Sequence, residues 1–261
     1  MSEITFLGTS GAVASKERDN TSLLIKTEKD SILIDLPGSP VKKLAKLNID
    51  FRGISTIFFT HSHPDHIYGI VSLLHSQYKL KNQLDIYAHP NVIKLIRILR
   101  ESFKLDDTHK YPGIIYHKIL PWQKRIFYDS NQICVWAFKT KHSRDSIGFR
   151  FYFKKINKTV VYSVDTAFNP HLQDEAFGCD WLIHDCFAPE RLFKRYPEAY
   201  RMHTSSLLLG KLATYCQVKI LAPIHFATEV KYSIQEIIKE IKESFTGKVV
   251  IPSDLQTLKL N

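Results

Sequence analysis

The chain has 261 residues, 44% of them hydrophobic and 12% aromatic. That is enough apolar material for a packed core, which excludes a disordered or collagen-like polypeptide. A balance of 36 Lys+Arg against 26 Asp+Glu gives a net charge of +10, which favours polyanionic partners such as RNA, DNA or a phosphorylated metabolite, although many of these charges are lysines on solvated faces. The longest apolar runs, Ile54–Thr60 and Val218–Ile224, are far shorter than the roughly 20 residues of a membrane helix.

The opening residues Met1–Phe6 lack the basic start and apolar stretch of a secretory signal, so a cytoplasmic protein with no membrane role is expected. Four cysteines, Cys134, Cys179, Cys186 and Cys216, lie far apart without a CxxC pair. This fits a reducing compartment and buried thiols, and argues against both a disulfide framework and a thiolate zinc site.

In chain order, strand-like runs Ile4–Leu7, Leu23–Lys26 and Ser31–Asp35 are separated by turn formers. A short amphipathic helix over Val41–Leu47 leads into the β-branched and aromatic run Ile54–Thr60, a buried strand. Ile67, Ile70, Val71 and Leu74 recur at helical spacing, as do Val92, Ile93, Ile96 and Leu99 after the strand Asp85–Ala88. The middle, from Ile114 to Ser163, reads as antiparallel strands, clearest at Ile133–Lys139, Gly148–Phe153 and Thr159–Val164. Strand Asp180–His184, helix Ser205–Cys216, strand Val218–Pro223 and helix Ile234–Phe245 close the chain. Both halves therefore run from a β-meander to β–α units, which two sheets packed face to face with helices outside would satisfy. With no linker or low-complexity tract, a single domain over 1–261 is expected.

The most informative segment is His61-Ser62-His63-Pro64-Asp65-His66, between a strand and a helix beginning near Ile67. Alternate residues at an extended strand end aim His61 and His63 at one point, and the turn into the helix lets Asp65 and His66 face a second. Four ligand-type side chains in six residues suit two divalent cations, with zinc expected from imidazole and carboxylate donors and manganese or iron as alternatives. Further ligands are sought at strand ends, where His142, Asp165 and His225 stand. The other histidines are less suited: His75 inside a helix, His89 at the start of one, and His109, His117 and His171 in polar loops.

These residues resemble the metallo-β-lactamase superfamily and, within it, the RNase Z-like branch. Phe6-Leu7-Gly8-Thr9-Ser10-Gly11-Ala12-Val13, the Asn20-Thr21-Ser22 step and the Ile34-Asp35 strand end look like that branch's first motifs, and His61, His63, Asp65 and His66 match its signature. His142, Asp165 and His225 follow in order. Asp165 is unlike the true β-lactamases, which carry a cysteine at that position. The resemblance implies an αββα sandwich, a homodimer, and a ligand division of His61, His63 and His142 on one ion, Asp65, His66 and His225 on the other, and Asp165 shared.

Two close cations lower the pKa of a bound water to about 7 and hold a phosphoryl oxygen, so hydrolysis of a phosphodiester is the expected chemistry. Asp65 holds a metal and orients or accepts the water's proton. His203 in Met202-His203-Thr204-Ser205 is the candidate acid for the departing alkoxide, with Asp185 orienting it. These two positions look like the His-Ser-Thr and His-Glu-Ala-Thr loops of RNase Z, with Asp185 in place of glutamate and Cys186-Phe187 in place of Ala-Thr. The tRNA-clamping arm of that branch lies between the ligands matching His142 and Asp165, where this chain has only residues 143–164, including the basic positions Arg144, Arg150, Lys154, Lys155 and Lys158 beside Lys141. An RNase Z-like RNA endonuclease and a small-molecule or cyclic-phosphate diesterase both fit. An ester or lactone hydrolase and a non-catalytic nucleic-acid-binding protein fit less well.

Overall fold

The run Leu23-Leu24-Ile25 shows how the architecture arises. Successive strand residues face opposite sides, so Leu23 and Ile25 enter one apolar cluster and Leu24 another. A strand buried on both faces must be apolar throughout, and such a strand belongs in the interior of a layered structure. The computed structural model describes residues 2–80, 82–123 and 125–260, with the backbone alone at Pro170 and His171.

The first sheet opens as an antiparallel meander of Glu3–Gly8 (β1), Ser22–Lys26 (β2) and Ser31–Ile34 (β3). Helix Pro40–Lys46 (α1) leads to Thr56–Phe58 (β4), helices Pro64–Ile67 (α2) and Gly69–Ser76 (α3) to Gln83–Ala88 (β5), and helix Pro90–Ser102 (α4) to Gly113–Lys118 (β6), with β3 to β6 parallel. The second sheet repeats the plan. Ile126–Asp129 (β7), Ile133–Lys139 (β8), Ile147–Phe153 (β9) and Lys158–Tyr162 (β10) form an antiparallel meander. Helix Pro170–Ala176 (α5), strand Trp181–Asp185 (β11), helices Glu190–Arg195 (α6) and Ser206–Tyr215 (α7), strand Ile220–Ile224 (β12), helix Ile234–Lys242 (α8) and strand Lys248–Val249 (β13) follow, with β10 to β13 parallel. Strand Gln256–Lys259 (β14) returns to pair with β1. The sheet orders are β14-β1-β2-β3-β4-β5-β6 and β13-β12-β11-β10-β9-β8-β7.

Phe6, Ile34 and Phe58 of the first sheet and Val135, Phe149, Phe151 and Ile183 of the second fill the space between the sheets. Phe58 anchors it, with its ring centroid 5.1 Å from Tyr87 and 5.5 Å from Phe149. Outside, α3 and α4 cover the first sheet and α5, α7 and α8 the second. This is the αββα sandwich expected, and the duplicated order of elements is present. Among the described residues no helix is long and apolar enough to cross a membrane.

Some local expectations give way. Gly113–Lys118 does not join the antiparallel middle; it pairs parallel to β5 in the first sheet. His117 therefore sits on a strand, stacked on Tyr87 at 4.1 Å with Nε2 2.6 Å from Asp85 Oδ1. His171 belongs to α5 and not to a loop. The helix after the histidine cluster starts at Pro64, so Asp65 and His66 lie in its first turn.

Candidate metal centre

Strand ends of both sheets meet along one edge and carry the titratable residues there. After β4 the chain stays extended through His61 to His63. Pro64 occupies the first helical position, where its missing N–H costs nothing, and it holds His63 in an extended conformation at φ −64°, ψ 146°. His61 and His63 thus precede the turn, and Asp65 and His66 follow it. From the second sheet, His142 follows β8, Asp165 follows β10 and His225 follows β12. Asp35, Val164 and His225 all have positive φ, at 56°, 50° and 61°. Such geometry costs on the order of 1–3 kcal/mol per residue, and here it turns the backbone sharply at the point where each strand delivers its side chain. Gly8 serves the same edge from the first strand: a Cβ there would lie 2.0 Å from the Asn20 carbonyl oxygen, so only glycine lets the two loop arms meet.

The structure brings all seven expected side chains together. His61, His63, His142 and Asp165 offer ligand atoms within 4.8 Å of one another, as do Asp65, His66, Asp165 and His225, so Asp165 is common to both groups. Asp165 Oδ2 lies 3.0 Å from His225 Nε2 and 3.5 Å from His142 Nε2, and Oδ1 lies 3.6 Å from His66 Nε2. His63 Nδ1 and His142 Nε2 are 3.0 Å apart, and Asp65 Oδ2 is 3.4 Å from His66 Nε2.

Whether these residues fit metal ions is answered by their buried polar atoms. His61 and His66 are 0% exposed and Asp165 and His225 2%, yet His61 Nε2, His66 Nε2, His225 Nε2 and Asp165 Oδ1 have no hydrogen-bond partner among the described residues. Buried polar atoms left so are expensive. Meanwhile the opposite ring nitrogens of His61 and His66 are anchored: His61 Nδ1 lies 3.0 Å from Thr60 Oγ1 and His66 Nδ1 2.8 Å from Asp35 Oδ2, while His142, whose Nε2 meets His63, has Nδ1 3.0 Å from the Met202 carbonyl. An imidazole tied at one nitrogen and orphaned at the other is the arrangement of a metal-binding histidine. Charged neighbours and burial act on these candidate ligands in opposite senses. Burial works to raise the Asp165 pKa, but His225 and His66 hold it well below the usual carboxylate range. Burial works to lower that of His225, but Asp165 carries it to about 10. Burial dominates at His61, which falls well below its ordinary value.

A second constellation adjoins the first. Asp185 Oδ2 accepts from the Thr166 N–H at 3.1 Å and lies 2.9 Å from His203 Nδ1, while its Oδ1 lies 3.6 Å from His225 Nδ1. Asp185 is fully buried, and although burial works to raise its pKa, His203 brings it below the usual range. These side chains border a cavity of about 230 Å³ lined by Ala12, Asp65, Phe187, Met202, His203 and Glu229 among others. The sequence reading missed Asp35, the Thr60 hydroxyl and the Met202 carbonyl as anchors. Only Asp35 left a signal, as an acid ending a strand within the Ile34-Asp35 motif.

Residues 143–164 fold into β9, β10 and their connection, and most of their basic side chains are engaged. Lys154 pairs with Asp129 at 2.6 Å, Lys155 with Glu28 at 2.5 Å and Lys158 with Asp180 at 3.3 Å, and the Arg150 guanidinium donates to the Glu175 carbonyl. Lys141 and Arg144 are exposed.

Paired seven-stranded sheets with helices outside and a histidine–aspartate cluster at their shared edge define a metallo-β-lactamase-fold protein. The structure is similar to the metallo-β-lactamase fold protein YhfI from Bacillus subtilis, with a TM-score of 0.83 and 21% identity over 99% of this chain and 100% of that one. The chain belongs to the family described as Anti-Pycsar protein Apyc1, whose model matches residues 2–240. Curated relatives include a Ribonuclease Z from Phocaeicola vulgatus, 21% identical over 99% of this chain and 97% of that protein. A Ribonuclease Z from Pyrococcus abyssi is 31% identical over 153 residues, 58% of this chain, and that match spans about half of its length, 48%.

Proposed function

We propose that the chain is a metal-dependent phosphodiesterase of the RNase Z type, with residues 1–261 acting as one hydrolase domain. The observation that carries this reading is the convergence of seven side chains into two groups that share Asp165, with buried ligand atoms left unsatisfied. His61, His63 and His142 would hold one divalent cation, Asp65, His66 and His225 a second, and Asp165 both, with zinc expected from the donor set. Bound there, two cations supply an activated water near neutral pH and neutralise charge on a phosphoryl group.

The chain's own residues account for the rest. Asp65, 14% exposed and facing the cavity, is placed to orient the attacking water and take its proton. The water oxygen forms the new bond to phosphorus, and the bond to the leaving oxygen breaks with its electron pair. His203, tied through Nδ1 to Asp185, keeps Nε2 on the opposite edge of its ring to give that oxygen a proton. General acid catalysis of this kind is worth about 10²–10⁴-fold. Phe187, Met202 and Ala12 form apolar walls that limit water around the reacting group.

A second reading concerns substrate size. Names among the relatives point to RNA, but a cavity of about 230 Å³ and a segment 143–164 whose cations are mostly paired favour a small or cyclic phosphodiester. Metal-quantified protein assayed in parallel on 3′-extended precursor tRNA, cyclic nucleotides and bis(p-nitrophenyl) phosphate decides both points. Hydrolysis of none of the three overturns the phosphodiesterase reading, and the ratio of kcat/KM values assigns the substrate class.

A further inference from the structure

Phe187 stands where the RNase Z-like pattern has a threonine, and the reading above makes it only a wall of the cavity. Its ring lies 4.3 Å from that of His203 and within 13° of parallel. The His203 ring is in turn within 17° of parallel to His225, at 5.3 Å. We infer that Phe187 is a positioning residue for His203, fixing the plane of the imidazole that Asp185 holds only by its edge; the inference rests on the proton-donor reading of His203.

A single hydrogen bond from Nδ1 to Asp185 fixes where that nitrogen sits, but the ring can still tilt about the contact and swing Nε2 across the cavity. A parallel aromatic face at van der Waals distance removes that motion, because tilting either drives ring atoms together or gives up the stack. Backbone bonds at the same residue hold the face in place. The Phe187 N–H donates to the Thr204 carbonyl at 3.1 Å, and the Phe187 carbonyl accepts from the Ala227 N–H at 2.8 Å and the Tyr232 hydroxyl at 3.3 Å. Phe187 is thereby bonded to Thr204, next to His203, and to Ala227, two residues past His225, through atoms that a side-chain substitution leaves unchanged. The side chain can be altered while the scaffold and the seven candidate ligands stay.

A space-filling side chain and a positioning one differ in what they do to the leaving group. An alkoxide needs a proton as it departs, whereas p-nitrophenolate is stable enough to leave without one. Misplacing a reacting group by about 1 Å costs on the order of 10²-fold, so a Phe187→Leu variant, which keeps bulk and loses the flat face, should lose about tenfold or more in kcat on an alkoxide-leaving diester. The probe is whichever of a cyclic nucleotide, a dinucleotide or precursor tRNA the parent protein cleaves fastest. On bis(p-nitrophenyl) phosphate the loss should be several times smaller. Phe187→Tyr, which retains the face, should recover kcat on the alkoxide-leaving substrate, and KM and metal content should stay near parental values in both variants.

Equal losses on the two substrates, loss of bound metal, or no rescue by tyrosine would each overturn the positioning role. His203→Ala run in the same panel separates this inference from the reading beneath it. Unchanged kcat in His203→Ala defeats the proton-donor reading itself, whereas a His203→Ala loss beside a fully active Phe187→Leu defeats the positioning role alone.

Discussion

The two halves of the sandwich share one order of strands and helices but arm the site differently. The first sheet delivers four candidate ligands within six residues, His61 to His66, from the extended chain after β4 into the first turn of α2. The second delivers His142, Asp165 and His225 from the ends of three separate strands, and adds Asp185 and His203 beyond them. Repeated topology therefore did not produce repeated chemistry. The first half is a compact block of candidate ligands, and the second spreads its groups so that one carboxylate, Asp165, reaches both clusters and a second, Asp185, lies 2.9 Å from His203 Nδ1.

The sharpest way to break that contrast is at Asp165. Its two oxygens lie near His66, His142 and His225, so Asp165→Ala should strip both sites, and metal analysis by mass spectrometry should find neither equivalent retained and no turnover above background. Retention of one full equivalent would show that the halves bind independently. His203→Ala is the next largest effect: both metals stay, and kcat on an alkoxide-leaving diester falls about 10²–10⁴-fold. An anchor in the first half ranks below these. Asp35 Oδ2 lies 2.8 Å from His66 Nδ1 and 2.7 Å from Thr60 Oγ1, whose hydroxyl also meets His61. Asp35→Asn should weaken metal affinity by about 10–100-fold, read by competition with a chromogenic chelator, and the effect should be larger for the cation held by His66.

How much of this could be read from the chain follows the same division. His61-Ser62-His63-Pro64-Asp65-His66 was legible because its chemistry is local: period-two strand geometry and a proline at the helix start act within six residues. His142, Asp165 and His225 are legible because each stands at or just past the end of a strand-like run, a weaker signal. Asp35, the Met202 carbonyl and the stacking face of Phe187 act only through tertiary contact, and a carbonyl leaves no mark in a sequence. The strand β6 is ambiguous in sequence for a related reason. Its pattern Gly113-Ile114-Ile115-Tyr116-His117-Lys118 suits an edge strand of either sheet, and only its parallel pairing with β5 decides. The short β14, half-exposed at Gln256–Lys259, lacked the apolar run that marks the interior strands.

The smallest expected effect tests whether charge carries substrate selection. The net +10 suggests a polyanion, but charge helps a partner only where it is free to meet one. Lys154, Lys155 and Lys158 each face an acid on a neighbouring element, while Lys141, next to His142, and Arg144 project to solvent. Alanine at Lys154, Lys155 and Lys158 together should leave kcat/KM within about twofold, because these ammonium groups release few counterions on binding. Alanine at Lys141 and Arg144 should lower kcat/KM on precursor tRNA more than on a cyclic nucleotide, and should flatten its fall between about 50 and 200 mM salt. Should the triple variant instead lose most RNA cleavage and flatten that salt response, the β9–β10 segment would be a working substitute for the arm of the RNase Z-like branch, and the second half of the sandwich would hold the substrate grip as well as the proposed proton donor.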